Sequence, residues 1–371
     1  MGSYRPYIFF GSIPLALSFI LLFWVPPFEG SLLFVFLIIV NIFHRTCFTI
    51  VSVPYSSLTA RISDDSEERT KLTTARMLGA SFGTLSISAL GFPIINWFGS
   101  GEESLGFVYL GICSGLAAIL ILAITVKTVK ERNFDIEFSK LPSFSEVSKS
   151  IVNNYAFLIV FASTLTLITT SIMFNKNLIY YTKYALGLHE FQGLILGVSS
   201  ASAFLAIPIW AYFALKIGKR NSWLISMSLL VFSFLFFYLY PIKNLIELLI
   251  VLIALGIGNG ATGVLFWSML PDTIEYGEWK TGVRTESSLY GFMTFAQKGG
   301  IAISALILGM LLTNLGFIPN TVQSEETLES LKSLMTFIPL AGVVLSFNLV
   351  YFYPIDSKFH KKLIREINER S

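Results

Sequence analysis

Gly106-Phe-Val-Tyr-Leu-Gly-Ile-Cys-Ser-Gly-Leu-Ala-Ala-Ile-Leu-Ile-Leu-Ala-Ile-Thr-Val-Lys127 is the stretch from which the fold is read. No charged side chain stands between its two ends. As a helix it is long enough to cross about 30 Å of hydrocarbon. Working outward, nine further runs of similar character can be drawn, giving spans at 7–25, 32–58, 74–98, 106–127, 154–183, 191–215, 222–240, 245–270, 288–313 and 334–354. A transmembrane barrel would show shorter, alternating segments. The expectation is an all-α integral membrane protein of ten spans.

Composition agrees. Only 13% of the 371 residues are charged and 54% are hydrophobic. A soluble domain carries about 25% charged residues, so this chain lacks the polar surface to coat a water-soluble globule. The first run, behind Met1-Gly2-Ser3-Tyr4-Arg5, ends in Trp24-Val25-Pro26-Pro27 without a small-residue cleavage site. It reads as a spanning helix rather than a signal peptide. Cys47 and Cys113 both fall inside apolar runs and make no disulfide framework. Trp24, Trp97 and Trp223 stand at span ends, where amphipathic rings prefer the interface. Gly256, Gly258, Gly260 and Gly263 predict close helix approach.

The net charge of +3 is explained by how the cations are distributed, not by nucleic acid. With the N-terminus in the cytoplasm, the inner segments hold most of the lysines and arginines, among them Arg5, Arg61, Arg69, Lys71, Arg76, Arg132, Lys140, Lys216, Lys219 and Lys361. The outer segments hold only Lys183, Lys243 and Lys332. The positive-inside rule then puts both termini in the cytoplasm of a multi-pass cell-membrane protein. Arg45, Lys176 and Lys298 fall within spans, whereas every one of the 23 acids is read into a loop, a tail or a span end. A cation in hydrocarbon without a counter-ion costs about 2.5–3.5 kcal/mol on insertion scales. Lys176, near an outer span end, is expected to snorkel.

Residues 128–152, with Pro142 and several serines and charges, form the longest polar stretch between spans and read as a central cytoplasmic linker. Four spans precede it and six follow. The expected domains are an incomplete N-terminal lobe (1–127), this linker, a six-helix C-terminal lobe (153–355) and a cytoplasmic tail (356–371). Transporters built from two six-helix halves contain internal repeats. On that pattern the first half is two helices short. The alternative is a true ten-helix protein.

The run Trp267-Ser-Met-Leu-Pro-Asp272-Thr-Ile-Glu275-Tyr-Gly-Glu278-Trp-Lys280-Thr-Gly-Val-Arg284-Thr-Glu286 alternates carboxylates with Lys and Arg as it leaves the eighth span. Such a loop can form salt bridges that close an inner gate, or it can be an ordinary solvated loop. Asn259-Gly-Ala-Thr-Gly263 is glycine-rich but lacks the lysine of a phosphate-binding loop. His44, His189 and His360 are scattered and show no metal spacing.

That charged run, followed by Gln297-Lys298-Gly299-Gly300, resembles the glycoside–pentoside–hexuronide:cation symporters of the major facilitator superfamily, in their melibiose permease-like form. Further matches are Val53-Pro54-Tyr55-Ser56-Ser57-Leu58, Glu68-Arg69-Thr70-Lys71-Leu72 leading to Arg76, and Tyr180-Tyr181-Thr182-Lys183-Tyr184. The resemblance covers essentially the whole chain from the family's third helix. It implies a two-lobe bundle that takes up a sugar or glycoside with Na+ or H+ by alternating access. It implies gating by Asp272, Glu275, Glu278 and Arg284. Lys298 matches a lysine of the family's cation site, and Ser52 stands where an aspartate of that site is expected. The family's acids from its first two helices have no counterpart here, which leaves the coupling ion open. Arg76 follows an arginine placed to hydrogen-bond sugar hydroxyls, or it is a positive-inside anchor. Arg45 lines the cavity or bridges helices. Trp267 stacks on a sugar ring or anchors at the interface. Thr294 lies one turn before Lys298 on the same face.

The expected function is therefore secondary active sugar symport, with no cofactor beyond the coupling ion, no protein-bound metal, and a monomer in the bilayer. Two other classes stand beside it. A membrane-embedded glycosyltransferase would need a polar domain for its activated donor, and none is visible. A non-transporting remnant would follow if the first lobe is broken.

Overall fold

A computed structural model of the protein describes residues 2–63, 65–99, 102–131, 144–318 and 321–370. Arg132, Lys140 and Pro142 lie outside the described residues. Within them the regular structure is helical: α1 (Arg5–Phe23), α2 (Gly30–Ile62), α3 (Ser66–Gly99), α4 (Glu103–Thr128), α5 (Phe144–Asn153), α6 (Tyr155–Tyr184), a single 3-10 turn (His189–Phe191), α7 (Gln192–Ile217), α8 (Lys219–Leu239), α9 (Leu245–Thr281), α10 (Glu286–Asn314), α11 (Glu325–Tyr351) and α12 (Ser357–Arg370). Nine of these, α1, α2, α4 and α6–α11, are long and apolar enough to cross a membrane. The remaining expected span, 74–98, lies within the helix α3, and its stretch 78–95 carries no charged side chain. Large side chains face outward along the spans, for example Phe34, Phe232 and Ile246, as lipid contact requires.

The chain divides into two compact units. The first contains Met1–Asp64 and Gly79–Leu141; the second contains Asp65–Leu78 and Pro142–Ser371. The boundary thus differs from a simple cut at 128, because the start of α3 belongs with the later helices.

In the first unit α1 packs on α4 through missing side chains. A Cβ at Gly115 would lie 3.2 Å from the Ala16 Cβ, and one at Gly111 would lie 3.2 Å from the Phe23 ring. Ile8, Val51, Leu58 and Val126 form the core between α1, α2 and α4. The exposed start of α1 is capped from afar. The Glu131 carboxylate accepts the backbone N–H groups of Ser3, Tyr4 and Arg5 at 2.7, 3.1 and 2.9 Å, where the helix end favours negative charge.

In the second unit α9 is the axis. A Cβ at Gly256 would meet the Ser199 carbonyl at 2.7 Å, and one at Gly260 the Ala203 carbonyl at 2.5 Å. This small-xxx-small pair sets α9 against α7. Gly258 does the same toward Leu230 of α8 at 2.6 Å. Asn154 caps α6 by accepting the Phe157 N–H and donates to the Thr273 carbonyl of α9 at 2.7 Å, which the bare Gly277 permits. Trp24 and Trp97 are exposed, but Trp223 is fully buried and donates to Ser346 Oγ of α11 at 3.1 Å. It is a packing residue, not the interface anchor its position at a span end suggested. Cys47 and Cys113 are free thiols.

Candidate functional site

The charged run after Trp267 is not a loop. α9 continues through Pro271 and the acids to Thr281 and stops at Gly282, which adopts the left-handed conformation at φ 72° and caps the Glu278 carbonyl. Asp272 and Glu275 are therefore helical and almost fully buried, at 3% and 1% exposure. Two buried carboxylates need matched cations. Arg69, itself 0% exposed, donates from Nη1 and Nη2 to both oxygens of Glu275 at 2.7 Å and from Nη2 to Asp272 at 3.3 Å. Lys219, the first residue of α8, donates to Asp272 Oδ2 at 2.6 Å and to the Ser268 carbonyl at 2.7 Å. His360 of α12 places Nε2 2.6 Å from Glu275 Oε2. A carboxylate only accepts, so that nitrogen carries the proton. Burial works against the Arg69 charge, but Glu275 and then Asp272 outweigh it and hold its pKa above the ordinary arginine range.

Asp272, Glu275 and His360 could in principle ligate a metal, with ligand atoms within 4.8 Å of one another. Arg69 and Lys219 already neutralise both carboxylates, and a divalent cation would enter against two buried positive charges. The set fits an ion-pair cluster better than a metal centre.

Glu278 and Arg284 form a second, shallower group. Arg284 donates to Glu278 at 2.6 Å and to Glu286 at the start of α10. Burial opposes the Arg284 charge, and Glu286 and Glu278 together raise its pKa above the usual range. The segment read as a tail is the helix α12. It lies against α9, with Phe359 near Tyr276 and Trp279, and Trp279 donating to Glu366 at 2.7 Å.

The sequence-selected substrate residues divide. Arg76 and Trp267 are brought together, the guanidinium 4.5 Å from the ring centroid. Trp267 is buried and stacks on Tyr290 of α10 at 6.1 Å, so it is no interface anchor. Arg69 and Arg76 stand seven residues apart on α3, opposite Glu275 and Trp267, eight apart on α9. Thr294 donates to the Tyr290 carbonyl at 2.9 Å, and Lys298 follows it, half-buried, one turn later. Arg45 and Ser52 lie on α2 in the first unit, Arg45 exposed and Ser52 with a buried hydroxyl that has no hydrogen-bond partner among the described residues. Lys176 is exposed on α6, near its end.

Sequence reasoning missed Arg69, Lys219, Tyr290 and His360. Arg69 and Lys219 were read only as positive-inside charges and His360 as scattered. Arg69 sat within a quoted motif, Glu68-Arg69-Thr70, which was its one available signal.

A family model described as MFS/sugar transport protein matches residues 1–357. The chain is 27% identical over 375 residues to the glucuronide carrier protein homolog of Escherichia coli K12, covering 100% of this chain and 81% of that one. It is 27% identical over 376 residues to the isoprimeverose transporter of Lactiplantibacillus pentosus, covering 100% and 77%. Among solved structures, the E. coli fucose:proton symporter matches with a TM-score of 0.71 at 12% identity, over 95% of this chain and 85% of that one. That likeness speaks for the fold. Spans, fold and sequence together place the chain in the MFS/sugar transport family: it is a multi-pass membrane transporter, not an enzyme.

Proposed function

We propose that the protein is a secondary active symporter of the glycoside–pentoside–hexuronide type, taking a sugar or glycoside across the cell membrane with Na+ or H+ and keeping both termini in the cytoplasm. The observation that carries this reading is the buried cluster of Arg69, Asp272, Glu275, Lys219 and His360, which shares helices α3 and α9 with the Arg76–Trp267 pair. A transporter working by alternating access needs one end of its path closed by contacts strong enough to hold yet able to part. A net-neutral, water-excluded cluster meets that need, since its attractions are strong only while dry. Arg76 and Trp267 supply the pairing that sugars favour, a fork of donors beside an aromatic face. Because Arg69 and Arg76 share α3, and Glu275 and Trp267 share α9, a sugar that competes for Arg76 or Trp267 acts on the same two helices that the cluster joins, and the closed end loosens. Thr294, whose hydroxyl donates to the carbonyl of Tyr290, the ring stacked on Trp267, is the proposed further hydroxyl contact. Lys298 and the Ser52 hydroxyl are the proposed coupling-ion elements, and Glu278 with Arg284 forms the outer latch of the gate. The named relatives carry or are homologous to carriers of a glucuronide and of isoprimeverose, which supports a glycoside substrate. Counterflow in proteoliposomes tests the reading: protein preloaded with an unlabelled glycoside should draw in the labelled one transiently above equilibrium. If no member of a panel of glycosides, pentosides and hexuronides exchanges, the reading fails.

A further inference from the structure

Cations from three elements meet at one corner of the second unit. A Cβ at Gly218, the residue between α7 and α8, would lie 3.8 Å from Ser357 Oγ at the start of α12. Lys216 and Arg220 each stand two residues from that glycine, and Lys358 follows Ser357. Lys216 and Lys358 are exposed and Arg220 is half-buried. No carboxylate pairs with Lys216, Arg220 or Lys358 among the described residues. Their neighbours differ. Lys219 is held by Asp272 at 2.6 Å, and Lys362 and Arg365, further along α12, face Glu366 and Glu369 at 3.7 and 2.8 Å. Asp356 is the acid next to the corner in sequence, and its Oδ1 accepts the Phe359 N–H at 2.7 Å, which caps α12.

The corner lies at the ends of three candidate spans, α7, α8 and α11. Leu205, Ile209, Tyr212 and Lys216 recur at intervals of four, three and four residues and so share one face of α7. The first three are exposed, as lipid contact requires, and the Lys216 ammonium lies 5.6 Å from the Tyr212 ring centroid. Arg220 donates to the backbone carbonyl of Tyr351, the last residue of α11, and lies 5.5 Å from the centroid of its ring. Tyr351 and Phe352 are themselves exposed. Aromatic rings at a span end mark the headgroup level of a bilayer. A lone lysine there needs only the general headgroup layer around it. Three unpaired cations gathered about one backbone contact are a different case, because they repel one another until an anion lies between them.

We infer that this corner binds an anionic phospholipid, with its phosphate on Lys216, Arg220 and Lys358 and an acyl chain along the Leu205–Ile209–Tyr212 stripe. With both termini in the cytoplasm, the lipid belongs to the inner leaflet. The guanidinium offers a fork of donors to two phosphate oxygens, and the ammonium groups add compact charges beside it. Three cations against the single carboxylate of Asp356 leave two positive charges unmatched. A lipid with two phosphates, cardiolipin, therefore satisfies the corner more fully than one with a single phosphate, such as phosphatidylglycerol.

Native mass spectrometry of the full chain, titrated in detergent with cardiolipin, phosphatidylglycerol and phosphatidylcholine of the same acyl chains, tests the inference. The wild type should hold cardiolipin at least about tenfold more tightly than phosphatidylcholine, with phosphatidylglycerol between them. Lys216→Gln combined with Lys358→Gln should cut that preference to about threefold or less. Lys71→Gln combined with Lys149→Gln, which removes exposed cations elsewhere on the same unit, should leave it intact. Glycerol 3-phosphate in excess should not displace the lipid, since the acyl chain is part of the ligand. Equal retention of all three lipids by the wild type overturns the inference, and so does an undiminished preference in the Lys216/Lys358 variant. An equal loss in the Lys71/Lys149 variant would reduce the corner to a diffuse basic surface. Displacement by glycerol 3-phosphate would make it a site for soluble phosphates, and either result also overturns the lipid assignment. If the Lys216/Lys358 variant does not fold, the wild-type ranking and the single Lys358→Gln variant decide.

Discussion

Replacing Arg69 by leucine strips the buried cluster of its central cation. Two hydrogen bonds of 2.7 Å to Glu275 and one of 3.3 Å to Asp272 disappear. Both carboxylates remain buried, with only Lys219 to balance them. Removing one partner from a buried pair costs about 3–5 kcal/mol, because the charge left behind is uncompensated. Arg69→Leu should therefore lose about that much stability. The double variant Arg69→Leu with Glu275→Leu removes an equal and opposite pair and leaves Lys219 matched to Asp272. Apolar replacement of a whole buried pair is often close to neutral, so the double variant should recover most of the loss, with a coupling energy of up to about 3 kcal/mol. Denaturant-driven unfolding in mixed micelles, followed by helical circular dichroism, reads both values. Stability and function should then separate: the double variant regains its fold but not controlled transport, since the gate's charge contact is gone. A single variant within about 1 kcal/mol of wild type, or a double variant no better than the single, would refute the account of the cluster.

Three further outcomes are expected. Gly260→Val should destabilise the α7–α9 pair by at least the 1–3 kcal/mol typical of overpacking, since its Cβ alone would lie 2.5 Å from the Ala203 carbonyl; thermal unfolding unchanged from wild type contradicts the packing. Tyr353 buries a hydroxyl with no hydrogen-bond partner among the described residues, so Tyr353→Phe should be neutral or stabilising by about 1 kcal/mol, and a clear loss in the same assay would reveal a partner for that oxygen. Lys298→Ala should abolish cation-stimulated sugar uptake while membrane insertion stays normal; unchanged stimulation removes Lys298 from the coupling site.

How much of this could be read beforehand depends on the range over which each signal acts. The spans were legible because a charge-free run such as 106–126 is a local property of the chain. The same holds for 74–98, whose stretch 78–95 is free of charge and lies in α3. The end of α9 was not legible, because acids are ordinarily solvated and Asp272 and Glu275 looked like loop residues. What keeps them helical and buried is an arginine 206 residues earlier and a histidine 85 residues later. The stop signal at Gly282 was local, but the charges before it masked it. Trp223 failed for a similar reason: its position fits an interface, and only Ser346, 123 residues on, explains its burial. Arg76 and Trp267 were each selected from sequence, yet their pairing with each other and with Tyr290 is tertiary information. Arg45 is the reverse case, conspicuous in sequence as a span cation without an acid, and still without an ionic partner among the described residues.

The most direct test of the central claim is sugar accumulation in proteoliposomes under an imposed inward gradient of Na+ or, separately, of H+. The account predicts that one of the two gradients drives a labelled glycoside above its external concentration, and that an ionophore dissipating that gradient returns it to equilibrium. Uptake that never exceeds equilibrium under either gradient, with the ionophore making no difference, would contradict cation-coupled symport.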